Sequence, residues 1–464
     1  MLNCVIENQP GLRKNDNPTA RIMEIMSSIK TLTFDALRES ISCILHAAPD
    51  HRQVSKTEYL LHDIALSGFA CMFLQCPSLL EFQHRLEEGY GRSNLQTQFG
   101  IEKIPKNTAM RNGLDEMDSQ IFSPVFDDFI VRLQQQKQLQ QYQFIAEMYL
   151  VPLDGTQYFT SRAISCDSCL QVPAGKKGPR CLHKLVQAAI VCPGIKQVIP
   201  LMPEAIQNTD GSTKKDSEIS AATRLMRSVK AAHAEMTFIR MGDSLYAHGP
   251  FIRETLEQGD HYLFAIKPGD HKHLTRITKN ISFNRHEEST KDQKITYEWA
   301  LQQPLTATID SPKVNIIRSR KVSIHKKTGE IKNTWLGTWI TDLDVNEMNV
   351  AKLVAAARTR WRIENECFNT LKNQGYAIEH NFGHGNKNLC LNFYILTLLA
   401  FFVQQIGDLC DSLYQQARAK AGTLRCFWQD IRALINRFLF PSWYKLLEQI
   451  IDYRKHTFIS FPER

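Results

Sequence analysis

The sequence predicts an α/β chain with a helical N-terminal part and a β-rich insertion. Three observations carry this. Helical periodicity dominates residues 20–146, short apolar strands with two intervening helices begin at Phe144, and residues 270–345 alternate apolar and polar residues. At 464 residues the chain is too long for one ordinary domain, and about 150 residues per domain suggests roughly three. A 43% hydrophobic content is ample for buried cores and excludes a globally disordered chain.

In order, Tyr59–Gln75 and Leu79–Glu88 read as helices. SNLQTQFGIEKIPKNTAMRNGLDEM then holds two helical runs about the breaker FGIEKIP, with Asn107 or Thr108 as cap of the second. A helix-turn-helix that docks on DNA has this pattern, and so does any small bundle. The strands FIAEMYLVPLDGTQYFTS, KLVQAAIVC and KQVIPLM follow, the first weakened as a strand by Pro152. A helix at about 217–234 is capped by Asp216 or Ser217, then come the strand MTFIRMGD, a short helix at 249–257 and the strand HYLFAIK. Three strands, helix, strand, helix, strand is the order of a ribonuclease-H-like α/β core. Helical periodicity resumes near Asn349 and persists to Leu413, and a basic helical tail ends the chain. The expected divisions are a helical N-terminal DNA-binding domain over 1–143, core over 144–269, β-rich insertion over 270–348, core again over 349–415, and tail over 416–464.

No apolar signal segment opens the chain, which argues against secretion. The most apolar stretch, Leu389 to Val403, is interrupted by Asn392 and Thr397 and reads as a buried helix, not a membrane span. Twelve scattered cysteines suit reduced thiols in a cytoplasmic protein. A formal charge of +8 permits a polyanionic partner.

Three carboxylates stand out. Asp154 ends the first strand at Asp-Gly-Thr, where a plain turn is the bland alternative. Asp243 ends MTFIRMGD, at the carboxyl edge where α/β sheets bind ligands, with an ordinary cap as alternative. In RTRWRIENECFNTLK, helical phase puts Val354, Ala357, Trp361, Phe368 and Leu371 on one stripe with Glu364 among them, while Glu366 falls on the solvent side. A carboxylate on a core-facing stripe is costly unless paired or bound to a cation, which selects Glu364; an Arg360 ion pair is the plain alternative. Phosphodiester cleavage needs hard divalent cations, and carboxylates are their natural ligands.

VPLDGTQYF, MGDSLYAHGP and RWRIENECFNTLKNQGYAIEHNFGHG, in this order and with a β-insertion between the second and third, resemble the insertion-sequence DDE transposases of bacteria. The likeness runs from about 140 to 405. It implies that Asp154, Asp243 and Glu364 bind two Mg²⁺ ions, or Mn²⁺ in their place, and that the enzyme hydrolyses transposon ends before the freed 3′-hydroxyl attacks target DNA. It also implies double-stranded DNA as partner, a homodimer joining two ends, and a location at the bacterial nucleoid. Related families carry a Tyr-Arg-Glu-Lys signature whose tyrosine and lysine are usually assigned phosphate contacts; Arg360 and Glu364 fit it, Ala357 stands at the tyrosine position, Lys372 sits one residue late, and the resemblance makes Arg360 and Lys372 the expected DNA contacts here. A metal-dependent nuclease without strand transfer, or a non-catalytic DNA-binding derivative, are the alternatives.

Two further groups bear on partners and metals. Residues 313–332 hold Lys313, Arg318, Arg320, Lys321, Lys326, Lys327 and Lys332 against Glu330, seven minus one or +6, and could lie on a phosphate backbone. Trp299, Trp335 and Trp339 flank this ribbon; Trp299 and Trp335 are candidates to receive an unstacked base, although core packing is expected for at least two of the three. Cys166, Cys169, Cys181 and His183 form C-x2-C-x11-C-x-H, suited to structural Zn²⁺, with reduced thiols on a hairpin loop as the alternative. His380 and His384 read as structural histidines of a glycine-rich turn.

Overall fold

The computed structural model describes residues 31–452 apart from 51, 53–56, 88–93, 176–177, 208–215, 268, 291–292, 325–327, 329 and 381. The helical start comprises α1 (Phe34–Ala47), α2 (Leu61–Phe73), α3 (Leu79–Glu87), α4 (Asn107–Glu116) and α5 (Ser123–Gln135). The strands β1 (Tyr149–Ser161), β2 (Leu170–Gly175), β3 (Gly178–Cys192), β4 (Ile195–Pro200) and β5 (Glu204–Ile206) come next. Then α6 (Glu218–Ala232), β6 (Phe238–Gly242), α7 (Gly249–Glu257) and β7 (His261–Ala265) alternate. Ser217 caps α6, its hydroxyl accepting from the Ser220 N–H at 3.1 Å, as its sequence position predicts.

All eleven strands form one mixed sheet, ordered β2-β3-β1-β6-β7-β11-β10-β9-β8, with β4 and β5 also on β3. β1 runs antiparallel to β3 and parallel to β6, and β6 runs parallel to β7. Every residue of β6 is buried, as expected of a strand covered on both faces. Its Arg240 is neutralised in the interior by Asp260 at 2.6 Å, which also accepts from the Phe238 N–H and so ties β6 to the start of β7.

The insertion begins with α8 (Lys272–Ile277) and continues as β8 (Asn284–Ser289), β9 (Gln293–Pro304), β10 (Lys313–Ile324) and β11 (Ile331–Thr341). The expected β-rich texture is present, and β11 pairs antiparallel with β7, so the insertion extends the same sheet.

The helical stretch expected from 349 to 413, with a glycine-rich turn at His380 and His384, is also broken earlier. α9 (Val350–Thr359) gives way to a π turn at Ile363–Phe368, α10 (Asn369–Asn373) follows, and residues 374–380 and 382–388 are non-helical before α11 (Leu389–Cys410). A wider turn shifts the phase of everything beyond it. Accordingly Ile363, Cys367, Phe368 and Leu371 face the core, while Trp361, expected on the core stripe, is exposed.

α11 is 22 residues long and buried in the protein. Its polar Asn392 donates to the carbonyls of Leu114 and Met117 at 2.7 and 2.8 Å, so it ties the helix to the end of α4. The Asp115 carboxylate accepts from the backbone N–H groups of Asn386, Lys387, Asn388 and Leu389, supplying partners that the start of α11 lacks within the helix. The closing helices α12 (Ser412–Ala421), α13 (Leu424–Arg437) and α14 (Trp443–Ile451) return to the first ones: Trp443 stacks on Phe34 with centroids 4.7 Å apart.

The segment read as either a helix-turn-helix or part of a small bundle packs as the latter. Its first arm is a five-residue π turn, Leu95–Phe99, and the second is capped by neither Asn107 nor Thr108, since Lys106 holds the N-cap position. Leu95, Phe99, Met110 and Leu114 are buried, and Gly113 lies against Ile64, so this segment packs into the helical core. Arg454 and Lys455 of the tail lie outside the described residues.

Candidate functional site

Asp154 does not end a strand or form a turn. It lies inside β1 opposite Gln187, because β1 continues along β3 after its ladder with β6 stops at Pro152 and Met241. That ending leaves Asp154 and Asp243 two residues beyond the last parallel pair on adjacent strands, at the carboxyl edge. Pro152 closes that ladder, which explains how a strand tolerates it.

Gly155 is needed for a close approach: a Cβ there would collide with the Glu218 carboxylate at the first turn of α6. Glu218 in turn accepts from the Tyr246 hydroxyl at 2.9 Å, and the Tyr246 ring fills the space beside Gly242. One contact chain therefore links the backbone next to Asp154 with the loop after Asp243. The sequence reading missed Glu218, whose only signal is its place in the first turn after the Ser217 cap.

Asp243 accepts from the Leu245 N–H at 2.9 Å and pairs with Lys267 at 2.7 Å. Burial raises its pKa, but these bonds and Arg360 outweigh it and hold the carboxyl below its ordinary value. Asp154 behaves oppositely. Burial, then the nearby Glu364 carboxylate, push its pKa up to about 7 against the pull of Arg360, with Glu218 and Asp243 adding smaller repulsions.

Glu364 thus reaches Asp154 electrostatically, although the reason for selecting it fails: its side chain is 45% exposed and pairs with Arg360 at 2.8 Å. The π turn moves it off the buried stripe. Glu366 is half-buried and lines an open cavity of about 900 Å³ together with Asp243, Lys267, Arg358, Arg360, Arg362 and Trp361. Lys267, Arg358 and Arg362 were not singled out from sequence; their signal was position, at the end of a strand and beside the acidic motif.

Lys372 pairs with Glu379 at 2.8 Å. In the insertion, Arg318 and Arg320 line a second cavity of about 660 Å³ with Arg285 and Glu298. The Arg318 guanidinium lies over the Phe283 ring at 4.5 Å. Lys321 is half-buried on β10. Trp299 is only 7% exposed and Trp339 5%, so both pack in the core and Trp299 offers no face for a base. Trp335 faces Lys321 in the ladder, with its side chain outside the described residues, as are Lys326 and Lys327.

The Cys/His set also needs correction. Cys166, Cys169, His183 and His384 place one donor atom each within 4.8 Å of one another. Cys181 is not in this group. It lies two residues before His183 on β3, and about 3.4 Å of rise per residue carries it past the cluster. The turn expected to hold merely structural histidines supplies His384 in its place.

Residues 190–402 match the family described as Transposase DDE domain. The match contains Asp243 and Glu364, and Asp154 precedes it. No curated protein matches the chain.

Proposed function

We propose that this chain, which carries a transposase DDE domain, cuts DNA at the ends of its own element and joins the freed ends to target DNA. One observation carries the reading: Asp154 and Asp243 lie just beyond a parallel strand pair, and the Glu364 carboxylate acts on Asp154. The order β4-β3-β1-β6-β7, antiparallel on one side of β1 and parallel on the other, supports a ribonuclease-H-like core. On this reading residues 1–143 hold the element ends, 144–269 with 349–415 form the core, and 270–348 grip the cleaved end.

The donor set is all oxygen, and Asp154 gathers more negative charge than its surroundings neutralise, which fits a hard divalent cation. Asp154, Asp243 and Glu364 would hold two Mg²⁺, or Mn²⁺ in their place. The chemistry supplied by bound Mg²⁺ is Lewis-acid activation of the attacking oxygen and of the leaving group. Lys267 keeps Asp243 ionised and Arg360 pairs with Glu364, and once released both cations face the same cavity as Arg358 and Arg362. Four cations along one cavity suit the phosphates of a bound strand, and the exposed Trp361 ring gives a base a surface to stack on. Arg318, Arg320 and Lys321 extend the positive surface along the insertion, and Lys372 adds a contact after Glu364. Two copies bring two ends together.

The test is cleavage of a DNA fragment bearing the element's ends, with Mg²⁺ or EDTA, by wild type and Asp243→Ala. Mg²⁺-dependent nicks that the variant abolishes, with joined products, are expected. Nicks without joining would make the protein a nuclease, and end binding without cleavage in either protein would overturn the enzymatic reading.

A further inference from the structure

We infer that Cys166, Cys169, His183 and His384 form a tetrahedral zinc site that fastens the segment before α11 to the β2–β3 hairpin. Three donors lie close together in sequence, and the fourth, His384, comes 201 residues after His183. Cys166 and Cys169 lie on the turn before β2, where the Cys169 N–H donates to the Cys166 carbonyl at 3.1 Å. His183 projects from β3, and His384 comes from the non-helical segment that follows α10.

The spacing of the donors is the main argument. With metal–sulfur bonds of about 2.3 Å and metal–nitrogen bonds of about 2.0–2.1 Å, a tetrahedron has edges of about 3.8 Å for S–S, 3.5 Å for S–N and 3.3 Å for N–N. Five of the six edges follow this pattern, beginning with 3.8 Å between the two Sγ atoms and 3.6, 3.3 and 3.4 Å for three of the four Sγ–Nε2 edges, while the fourth, Cys166 Sγ to His384 Nε2, lies within 4.8 Å. The two Nε2 atoms are 3.0 Å apart. Both imidazoles converge through the same ring nitrogen, an arrangement that one cation satisfies better than any pairwise hydrogen bonding among two thiols and two rings.

The surroundings fix the donors as a built site would. His384 Nδ1 donates to the Gly385 carbonyl at 2.7 Å, which leaves the Nε2 lone pair aimed at the cluster. Gly385 adopts φ 70°, and a Cβ there would collide with Asp115. Asp115 clamps the next four backbone N–H groups, so His384 is held from behind by α4. The Phe159 ring packs on His384 with centroids 4.4 Å apart, and Cys169, His183 and His384 are buried. Two thiolates and two imidazoles in a tetrahedron select Zn²⁺ over the hard cations. The site joins the hairpin beside β1 to the chain that leaves Glu364, and so braces the acidic residues without touching them.

Metal content tests this on the full chain, purified without a histidine tag. Wild type is expected to carry about one zinc per chain. Cys169→Ser and His384→Ala are expected to lose at least nine-tenths of it, while Cys181→Ser keeps it. To keep the test independent of how the first two variants fold, wild type is also expressed with Co²⁺, whose visible bands report a tetrahedral site with two sulfur and two nitrogen ligands. Zinc-free wild type with no such Co²⁺ spectrum overturns the site, as does zinc lost in Cys181→Ser and kept in His384→Ala. The inference stands apart from the DNA reading: Asp243→Ala is expected to abolish cleavage and keep its zinc, so either can fail alone.

Discussion

Two groups of side chains in this protein suit a cation, and they are assembled in opposite ways. At Cys166, Cys169, His183 and His384 the donors already converge within 4.8 Å, held by hydrogen bonds and ring contacts. Around Asp154 the carboxylates are each managed separately: Asp243 by Lys267, Glu364 by Arg360, and Asp154 by retaining its proton up to about pH 7. Neutral soft donors tolerate crowding, whereas carboxylates repel one another until a cation arrives. One site is therefore suited to stay loaded and the other to bind and release its metal as DNA comes and goes.

The sharpest way to break this comparison is to remove an acidic ligand. Asp243→Ala is expected to lower Mg²⁺-dependent cleavage by about 10³-fold or more, since metal activation is worth several kcal/mol and each 1.36 kcal/mol is tenfold. A loss below about tenfold, read by single-turnover nicking, would remove Asp243 from the metal site.

pH separates the two sites next. Mg²⁺ must displace the Asp154 proton, so its apparent affinity should fall about tenfold per unit as pH drops below 7. Calorimetric titration at pH 6 and 8 checks this, and equal affinities would contradict it. Metal-free stability moves the other way. The fold keeps a proton that the unfolded chain releases near pH 4, so this group's contribution falls as pH rises from about 4 to about 7 and stays low above it. Asp154→Asn removes that cost: the metal-free Tm should rise by about 2–4 °C at pH 8 and by less at pH 5, while cleavage is lost.

Gly155→Ala probes the brace between the strands. The added methyl group would push Glu218 from its place under Tyr246, at a cost of about 1–3 kcal/mol. Urea unfolding measures it, and a neutral result would mean that Glu218 moves aside freely.

The same contrast shows what the sequence could reveal. The strands β1, β3, β4, β6 and β7 were legible because β-periodicity is encoded within a few residues, whereas the short β2 and β5 were not read, and α7 falls at the predicted 249–257. Glu364 was identified for a mistaken reason: helical phase cannot foresee a π turn, so Trp361 was put in the core and Glu364 with it. Asp154 looked like a turn because Asp-Gly usually is one, and only Glu218, 63 residues beyond Gly155, explains the glycine. The zinc ligands were half legible. Cys166, Cys169 and His183 are close in sequence, whereas His384 meets them only through the packing of α4 and α11.

The smallest expected effect is on stability at Arg360, and it tests whether this residue serves the fold or the substrate. The Arg360–Glu364 pair spans one helical turn, and Glu364 is 45% exposed, so solvent screens it and the pair contributes about 0.3–0.5 kcal/mol. Arg360→Ala should therefore shift the Tm by no more than about 1–2 °C. Its cost should appear on DNA instead, where a cation facing the cavity with Lys267, Arg358 and Arg362 contacts a phosphate. Losing one phosphate contact weakens binding uniformly across sequences and lowers the salt slope by about one unit. A large drop in Tm with an unchanged salt slope would assign Arg360 to the scaffold, and the carboxylates would then need another cation to accompany the DNA.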